Sequence, residues 1–233
     1  MNLNLTFRLG RLPVVIEPWF FLTALLLGGS RTNDLRQLLP WILVVFVSVL
    51  LHELGHATAG RLFGLQPIVR IHGMGGTTHW LEQADISHKQ SFIISVAGPL
   101  TGLLVGTIAI FASRYLSGGG SFVDAMRSPG PNALFIERVV SDLVFVNIAW
   151  SIFNLFPIMP MDGGNALRSL LNWVTGREQA GKVAWISIVL AGLLALLGLL
   201  AGSIFNALLA GTFVFHNIQI LRALREKPDV DGR

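Results

Sequence analysis

The chain has 233 residues, of which 52% are apolar and 13% charged, and its mean hydropathy is +0.64. Soluble domains carry about 25% charged residues, so this balance excludes an ordinary water-soluble globule and points to a polytopic membrane protein. The net charge of +4 comes from basic residues scattered at the ends of apolar segments, which argues against nucleic acid as a partner, and the absence of cysteine leaves only histidine and carboxylate to hold a metal.

In chain order, Leu3, Leu5, Phe7 and Leu9 alternate with Asn4, Thr6 and Arg8. That is the period of a half-buried strand, so residues 1–16 are expected as interfacial β-strands, turning at Gly10-Arg11, and not as a signal peptide. Pro18 to Gly29 is apolar but short against the roughly 20 residues that span a bilayer. Residues 41–63 form a full span containing His52-Glu53-Leu54-Gly55-His56. Residues 66–89 mix Ile68, Val69 and Ile71 with Gly73, Gly75 and Gly76 and read as an interfacial hairpin or loop. Residues 90–115 are the next core helix, and Leu116 to Asn132, rich in Gly, Ser and Pro, is a surface loop. Residues 133–156 form another core helix, stopped by Pro157 and Pro160, which lack amide hydrogens. Residues 157–181 hold an Asp-Gly loop and a short amphipathic helix from Gly163 to Val174. Residues 183–224 are two helices, with Gly202-Ser203 where a hairpin turn falls. With the N-terminus assigned to the cytoplasm, twelve of the 17 basic residues lie inside, so both termini are expected on the cytoplasmic side of the cell membrane. Trp19, Trp41, Trp80, Trp150, Trp173 and Trp185 sit mostly near span ends, where interface anchoring is expected.

The pentapeptide carries the chemistry. In a helix, His52 and His56 lie one turn apart on one face, so both imidazoles can reach one metal ion while Glu53 addresses a water beside it. Each ionisable group at the centre of a membrane helix costs roughly 2.5 to 3.5 kcal/mol, and a metal is the natural partner for three of them. A catalytic zinc takes three protein ligands and keeps one open position. The candidate third ligand is Asp162, in Asn154-Leu-Phe-Pro-Ile-Met-Pro-Met-Asp162-Gly-Gly164. If the first full span runs inward, His52 lies roughly 13 Å from Arg61 at the inner edge, and Asp162 emerges at the inner end two spans later, towards the same face. The prolines open the helix there, allowing the backbone to carry Asp162 into a polar cavity. Plainer readings compete: a metal-free polar network for His52, Glu53 and His56, and a helix N-cap for Asp162. His72, His79, His88 and His216 read as hydrogen-bonded or interfacial histidines. Gly98, Gly102 and Gly106 recur every four residues, as Gly55 and Ala59 do on the pentapeptide helix. They are expected to seat the 90–115 helix against it.

A pentapeptide of this kind in a membrane helix, then Ala97-Gly98-Pro99, then Asn-x-x-Pro ahead of Asp-Gly, resembles the site-2 proteases, the intramembrane zinc metalloproteases, over nearly the whole chain. The resemblance implies one Zn2+ per chain on His52, His56 and Asp162, Glu53 as catalytic acid and base, and Asn154 positioning the substrate backbone. On its own residues, Asn154 reads equally as a partner for carbonyls freed by Pro157. The resemblance also places the strands in a small membrane-associated β-sheet at the cytoplasmic face. The expected fold class is therefore an α-helical polytopic membrane protein of about six transmembrane helices in a single membrane-embedded domain, residues 1–233. The implied substrate is a transmembrane segment of another protein, met in the lipid bilayer. This chain has Gly102 where family members commonly have asparagine, and Met159 where many have proline. The loop and the tail after Leu224 are too short for a PDZ or a regulatory nucleotide-binding domain, so a minimal form is expected. The alternative is a catalytically silent pseudoprotease that binds or retains transmembrane segments. A metal transporter is disfavoured because the polar residues gather at one depth.

Overall fold

The computed structural model describes residues 4–29, 35–81, 85–116 and 134–226. It is mostly helical with one four-stranded sheet. Strands β1 (Leu5–Leu9) and β2 (Leu12–Ile16) form an antiparallel hairpin whose turn uses Gly10 at φ +60, a left-handed conformation that glycine adopts without steric cost. Helices α1 (Pro18–Gly29) and α2 (Leu35–Leu62) follow, then strands β3 (Pro67–His72) and β4 (Gly75–Trp80). β3 pairs parallel to β2, with Val14 opposite Val69 and Ile16 opposite Ile71, and antiparallel to β4, giving the order β1-β2-β3-β4. A parallel join needs a long crossover, and α1 with α2 is that crossover. Alternate residues Val14, Ile16, Val69 and Ile71 turn one sheet face into a core with Phe20, Ala24, Trp41, Val45 and Val49 of the two helices.

Trp41 departs from its expected anchoring role. It is 5% exposed, its indole N–H donates to the Ala24 carbonyl at 2.9 Å, and its ring lies 2.5 Å from where Gly28 would carry a Cβ. An amphipathic ring with a buried hydrogen-bond partner locks α1 to α2 instead of sampling the interface. The pentapeptide helix also begins at Leu35, ahead of the expected residue 41, and runs through Pro40, whose missing N–H costs one ladder bond near the helix start.

Helix α3 (His88–Leu116) and helix α4 (Phe135–Asn154) complete the core segments. The glycine ridge of α3 does not act as one surface. Gly98 faces α2, where a Cβ would meet the His56 ring, but at Gly102 it would meet the Ser151 hydroxyl and at Gly106 the Ile148 side chain, both on α4. A step of four residues advances the helix by about 40° beyond a full turn, so the two steps from Gly98 to Gly106 span about 80° and reach two neighbours. The expectation that all three glycines seat α3 on the pentapeptide helix is therefore corrected: Gly102 and Gly106 seat it on α4, where Ala109, Val140, Val144 and Ile148 form the adjoining core.

After α4 come α5 (Asp162–Thr175), α6 (Ala180–Leu200) and α7 (Ile204–Glu226). The expected hairpin turn falls at Gly202, φ +70, with the Ser203 N–H donating to the Gly198 carbonyl at 2.8 Å. Arg168 grips Glu178 through two bonds of 2.9 and 2.8 Å. The paired guanidinium holds that carboxyl well below its usual range, at about 2, and fixes the α5–α6 turn.

Helices α2, α3, α6 and α7 are long and apolar enough to cross a membrane. Of the six spans expected, α1 has only 12 residues and α4 carries Glu137, Arg138 and Asp142 in its first half. The Gly-, Ser- and Pro-rich loop lies almost entirely outside the described residues. The chain divides into two compact units, Met1–Asp85 with Ala97–Phe153, and Ile86–Val96 with Asn154–Arg233.

Gly102→Leu should lower stability by about 1–3 kcal/mol, the usual cost of forcing extra volume into a packed site. Gly211→Leu, where a Cβ meets nothing within 4 Å, is the control. Thermal unfolding in detergent checks the pair: a clear fall in midpoint for the first and little change for the second.

Candidate metal centre

Helix α2 delivers the two histidines as its geometry requires. Their Nε2 atoms are 3.2 Å apart and their rings, with centroids 5.0 Å apart, stand at 72° to each other. Two nitrogens each about 2.0–2.1 Å from one tetrahedral zinc would be separated by about 3.3 Å, so the pair is already spaced for a shared ion. His52 is 3% exposed, Glu53 4% and His56 7%. Among the described residues they form the one cluster of three metal-ligating types, with ligand atoms within 4.8 Å of one another. Gly98 keeps the centre open, because any Cβ at that position would occupy the space against His56 Nε2. The donor set, its spacing and this glycine fit a zinc ion.

Glu53 is held from the sheet. The Thr78 hydroxyl, on β4, donates its one hydrogen to Glu53 Oε2 at 2.8 Å and lies 3.2 Å from the Glu53 carbonyl. Two residues earlier, and so on the same strand face, Gly76 lies directly beneath the carboxylate: a Cβ there would fall 2.5 Å from Cγ and 2.6 Å from Oε1. A strand two residues out of register would put a side chain into the glutamate. The hairpin is seated at both ends as well, with Gly75 against the Trp150 ring and Gly60 of α2 against Trp80. Behind His52, one turn earlier on α2, Ser48 accepts a bond of 2.8 Å from Asn147 Nδ2 of α4, which also donates to the Leu143 carbonyl at 2.9 Å. Both are buried, so the polar face of α2 continues past the histidines as a bonded pair.

In the second unit Asp162 is the first residue of α5, and the N-cap position belongs to Met161, which makes no side-chain cap. The N-cap reading of Asp162 is thereby overturned. The chain before it is folded tightly onto the helix start. A Cβ on Gly163 would run into the Leu155 carbonyl, and one on Gly164 into the Met159 amide and the Ile158 carbonyl carbon. Glycine at both places is what lets backbone lie on backbone. Asn154 ends α4 and is half-buried, and its side-chain amide makes no hydrogen bond among the described residues. His72 accepts from the Met74 amide at 3.2 Å and His79 bonds Thr77 at 3.1 Å, the structural roles expected of them. Gly76 entered the sequence reading only as a hairpin glycine, and Thr78, Ser187 and Asn217 had no part in it. The last two were detectable as polar residues inside an apolar run, whereas Thr78 has no local signal.

A family model described as peptidase family M50 matches residues 125–198, and one described as peptidase M50B-like matches residues 22–123. A Synechocystis protein, sll0528, named as a candidate zinc metalloprotease, is 28% identical over 242 residues, covering 93% of this chain and 59% of the relative. The zinc metalloprotease MJ0392 of Methanocaldococcus jannaschii is 28% identical over 212 residues, covering 90% of this chain and 57% of the relative. The chain thus spans somewhat under three-fifths of the length of these relatives. The solved structure of a site-2 protease from Methanocaldococcus jannaschii superposes with a TM-score of 0.63 at 24% identity, covering 94% of this chain and 95% of that one, and carries the likeness of fold.

Zinc that binds only the folded protein should raise its unfolding midpoint, by the equivalent of about 2.7 kcal/mol at a hundredfold excess over the dissociation constant. His56→Ala should abolish that rise. A zinc-dependent shift of equal size in the variant would show that the ion binds elsewhere.

Proposed function

The chain belongs to the site-2 protease family, peptidase family M50, and from that premise we propose that it is an intramembrane zinc endopeptidase that cleaves transmembrane segments of other membrane proteins. The observation that carries the reading is the buried pair of Nε2 atoms 3.2 Å apart on an apolar helix, with a buried glutamate beside them. His52 and His56 would hold the ion through Nε2, with Asp162 as the third ligand. When bound, zinc supplies Lewis acidity that lowers the pKa of water and polarises a carbonyl. Glu53 takes the proton from the attacking water and passes it to the leaving amine. Thr78 keeps the Glu53 carboxylate in one orientation by holding Oε2.

A helical substrate hides its peptide bonds in its own ladder, so it must unwind before attack. Among the described residues β4 is an edge strand, paired only with β3, and it carries Gly76 and Thr78 on the face towards Glu53. An extended substrate segment added along that edge brings its backbone to the glutamate by β-augmentation. Asn154, whose amide has no partner among the described residues, is available to the substrate backbone. The distribution of basic residues supports a cytoplasmic sheet and cytoplasmic termini, with α1 and α4 completing six membrane segments, and the reading takes one zinc per chain.

Glu53→Gln should abolish cleavage of a transmembrane substrate while zinc stays bound, since it removes the base and no ligand; loss of a general base costs about 100- to 10,000-fold. Purified variant with full zinc and undiminished cleavage would sink the mechanism. Thr78→Val should lower kcat about tenfold with KM little changed, the scale of one hydrogen bond to a charged group, and Thr78→Ser should restore it. A KM effect in place of a kcat effect would assign Thr78 to substrate binding.

A further inference from the structure

Asp162 follows a break in the helical ladder, and the backbone of that break is held by two side chains from the C-terminal helices. The Met159 N–H donates to Ser187 Oγ of α6 at 2.9 Å, and the Met159 carbonyl accepts from Asn217 Nδ2 of α7 at 2.6 Å. Each of these side chains is also tied to its own helix one turn back. Ser187 donates to the Val183 carbonyl at 2.8 Å, and Asn217 donates its second hydrogen to the Phe213 carbonyl at 2.8 Å. These second bonds fix the geometry. With its hydroxyl hydrogen committed to Val183, Ser187 can meet Met159 only as an acceptor; with both Nδ2 hydrogens on carbonyls, the Asn217 amide can sit only one way round. Both side chains are completely buried, Ile158 is too, and Met159 is 3% exposed.

Polar side chains inside apolar helices carry a cost that function or structure must offset. Here the bonds that both make outside their own helices go to a single residue, three positions before Asp162. The other bonds of the break are local: Ile158 N–H reaches the Phe156 carbonyl, Met161 N–H the Ile158 carbonyl, and the Asn165 side-chain amide the Pro160 carbonyl at 3.2 Å. Met159 is the link left for the neighbouring helices. Proline at that position would present no N–H, and Ser187 would lose its donor.

We propose that Ser187 and Asn217 are positioning residues for the metal centre: they clamp Met159 and thereby set where Asp162 presents its carboxylate. This rests on the assignment of Asp162 as the third zinc ligand. The geometry tolerated by a metal ligand is narrow, and loss of an outer partner that orients one typically costs about 10- to 100-fold in metal affinity.

The test measures zinc dissociation constants of the purified full-length protein in detergent, by competition with a chromogenic chelator. Ser187→Ala and Asn217→Leu should each weaken zinc at least tenfold, and Ser187→Thr, which keeps the hydroxyl, should stay close to the parent. In an Asp162→Ala background neither substitution should weaken zinc further, because the ligand they place is gone; a general loss of structure would lower affinity there too. Ser187→Ala is the milder change, so it decides the matter if Asn217→Leu fails to fold. Parent-like zinc affinity in Ser187→Ala, alongside a weakened Asp162→Ala, overturns the clamp alone. Unchanged affinity in Asp162→Ala overturns the ligand assignment and the clamp with it.

Discussion

Three ionisable side chains are buried within five residues of an otherwise apolar helix, and much of the first unit is arranged around their cost. Histidine and glutamate removed from water must be paired, coordinated or neutralised. The sheet answers for Glu53, through a threonine hydroxyl and a glycine that leaves the carboxylate room. Helix α3 answers for His56 by withholding a side chain at Gly98. The small residues of these helices are thus not uniform spacers. Gly60, Gly98, Gly102 and Gly106 each lie where a neighbouring side chain fills the volume that a methyl would take.

A second constraint governs the stretch from Leu155 to Met161. Backbone that leaves a helix at membrane depth must find partners inside the protein, because hydrocarbon supplies none. Two prolines remove donors, short turns satisfy others, and Ser187 and Asn217 complete the accounting at Met159. The irregular segment is therefore as closely determined as the helices beside it.

How much of this was legible follows from the range over which each signal acts. The pentapeptide, the Asp-Gly-Gly turn into α5 and the reversal at Gly202 are local patterns, and they fall where the sequence places them. Trp41 was misread because its position near a span end is visible in the sequence, whereas the Ala24 carbonyl that captures its N–H is brought up by tertiary packing. The partners of Gly102 and Gly106 were misread for a related reason: spacing along one helix says that something comes close, without saying which helix. Asp162 looked like a cap because its residue type favours one, and the backbone instead starts the helix one residue earlier than a cap would allow. Thr78 has no pattern of its own. Its meaning depends on the register of β4 against α2, a pairing of residues 25 positions apart.

That register has its origin in the parallel pairing of β2 with β3. The two strands are separated by 50 residues, all of α1 and α2 among them, so this pairing joins segments distant in sequence, whereas β3 meets β4 locally. β4 lies against β3 and brings Thr78 to Glu53. A one-residue slip of β3 along β2 would turn the opposite face of both β3 and β4 towards α2 and carry Thr78 away from Glu53, so the hold on the glutamate depends on a pairing made at the far side of the sheet.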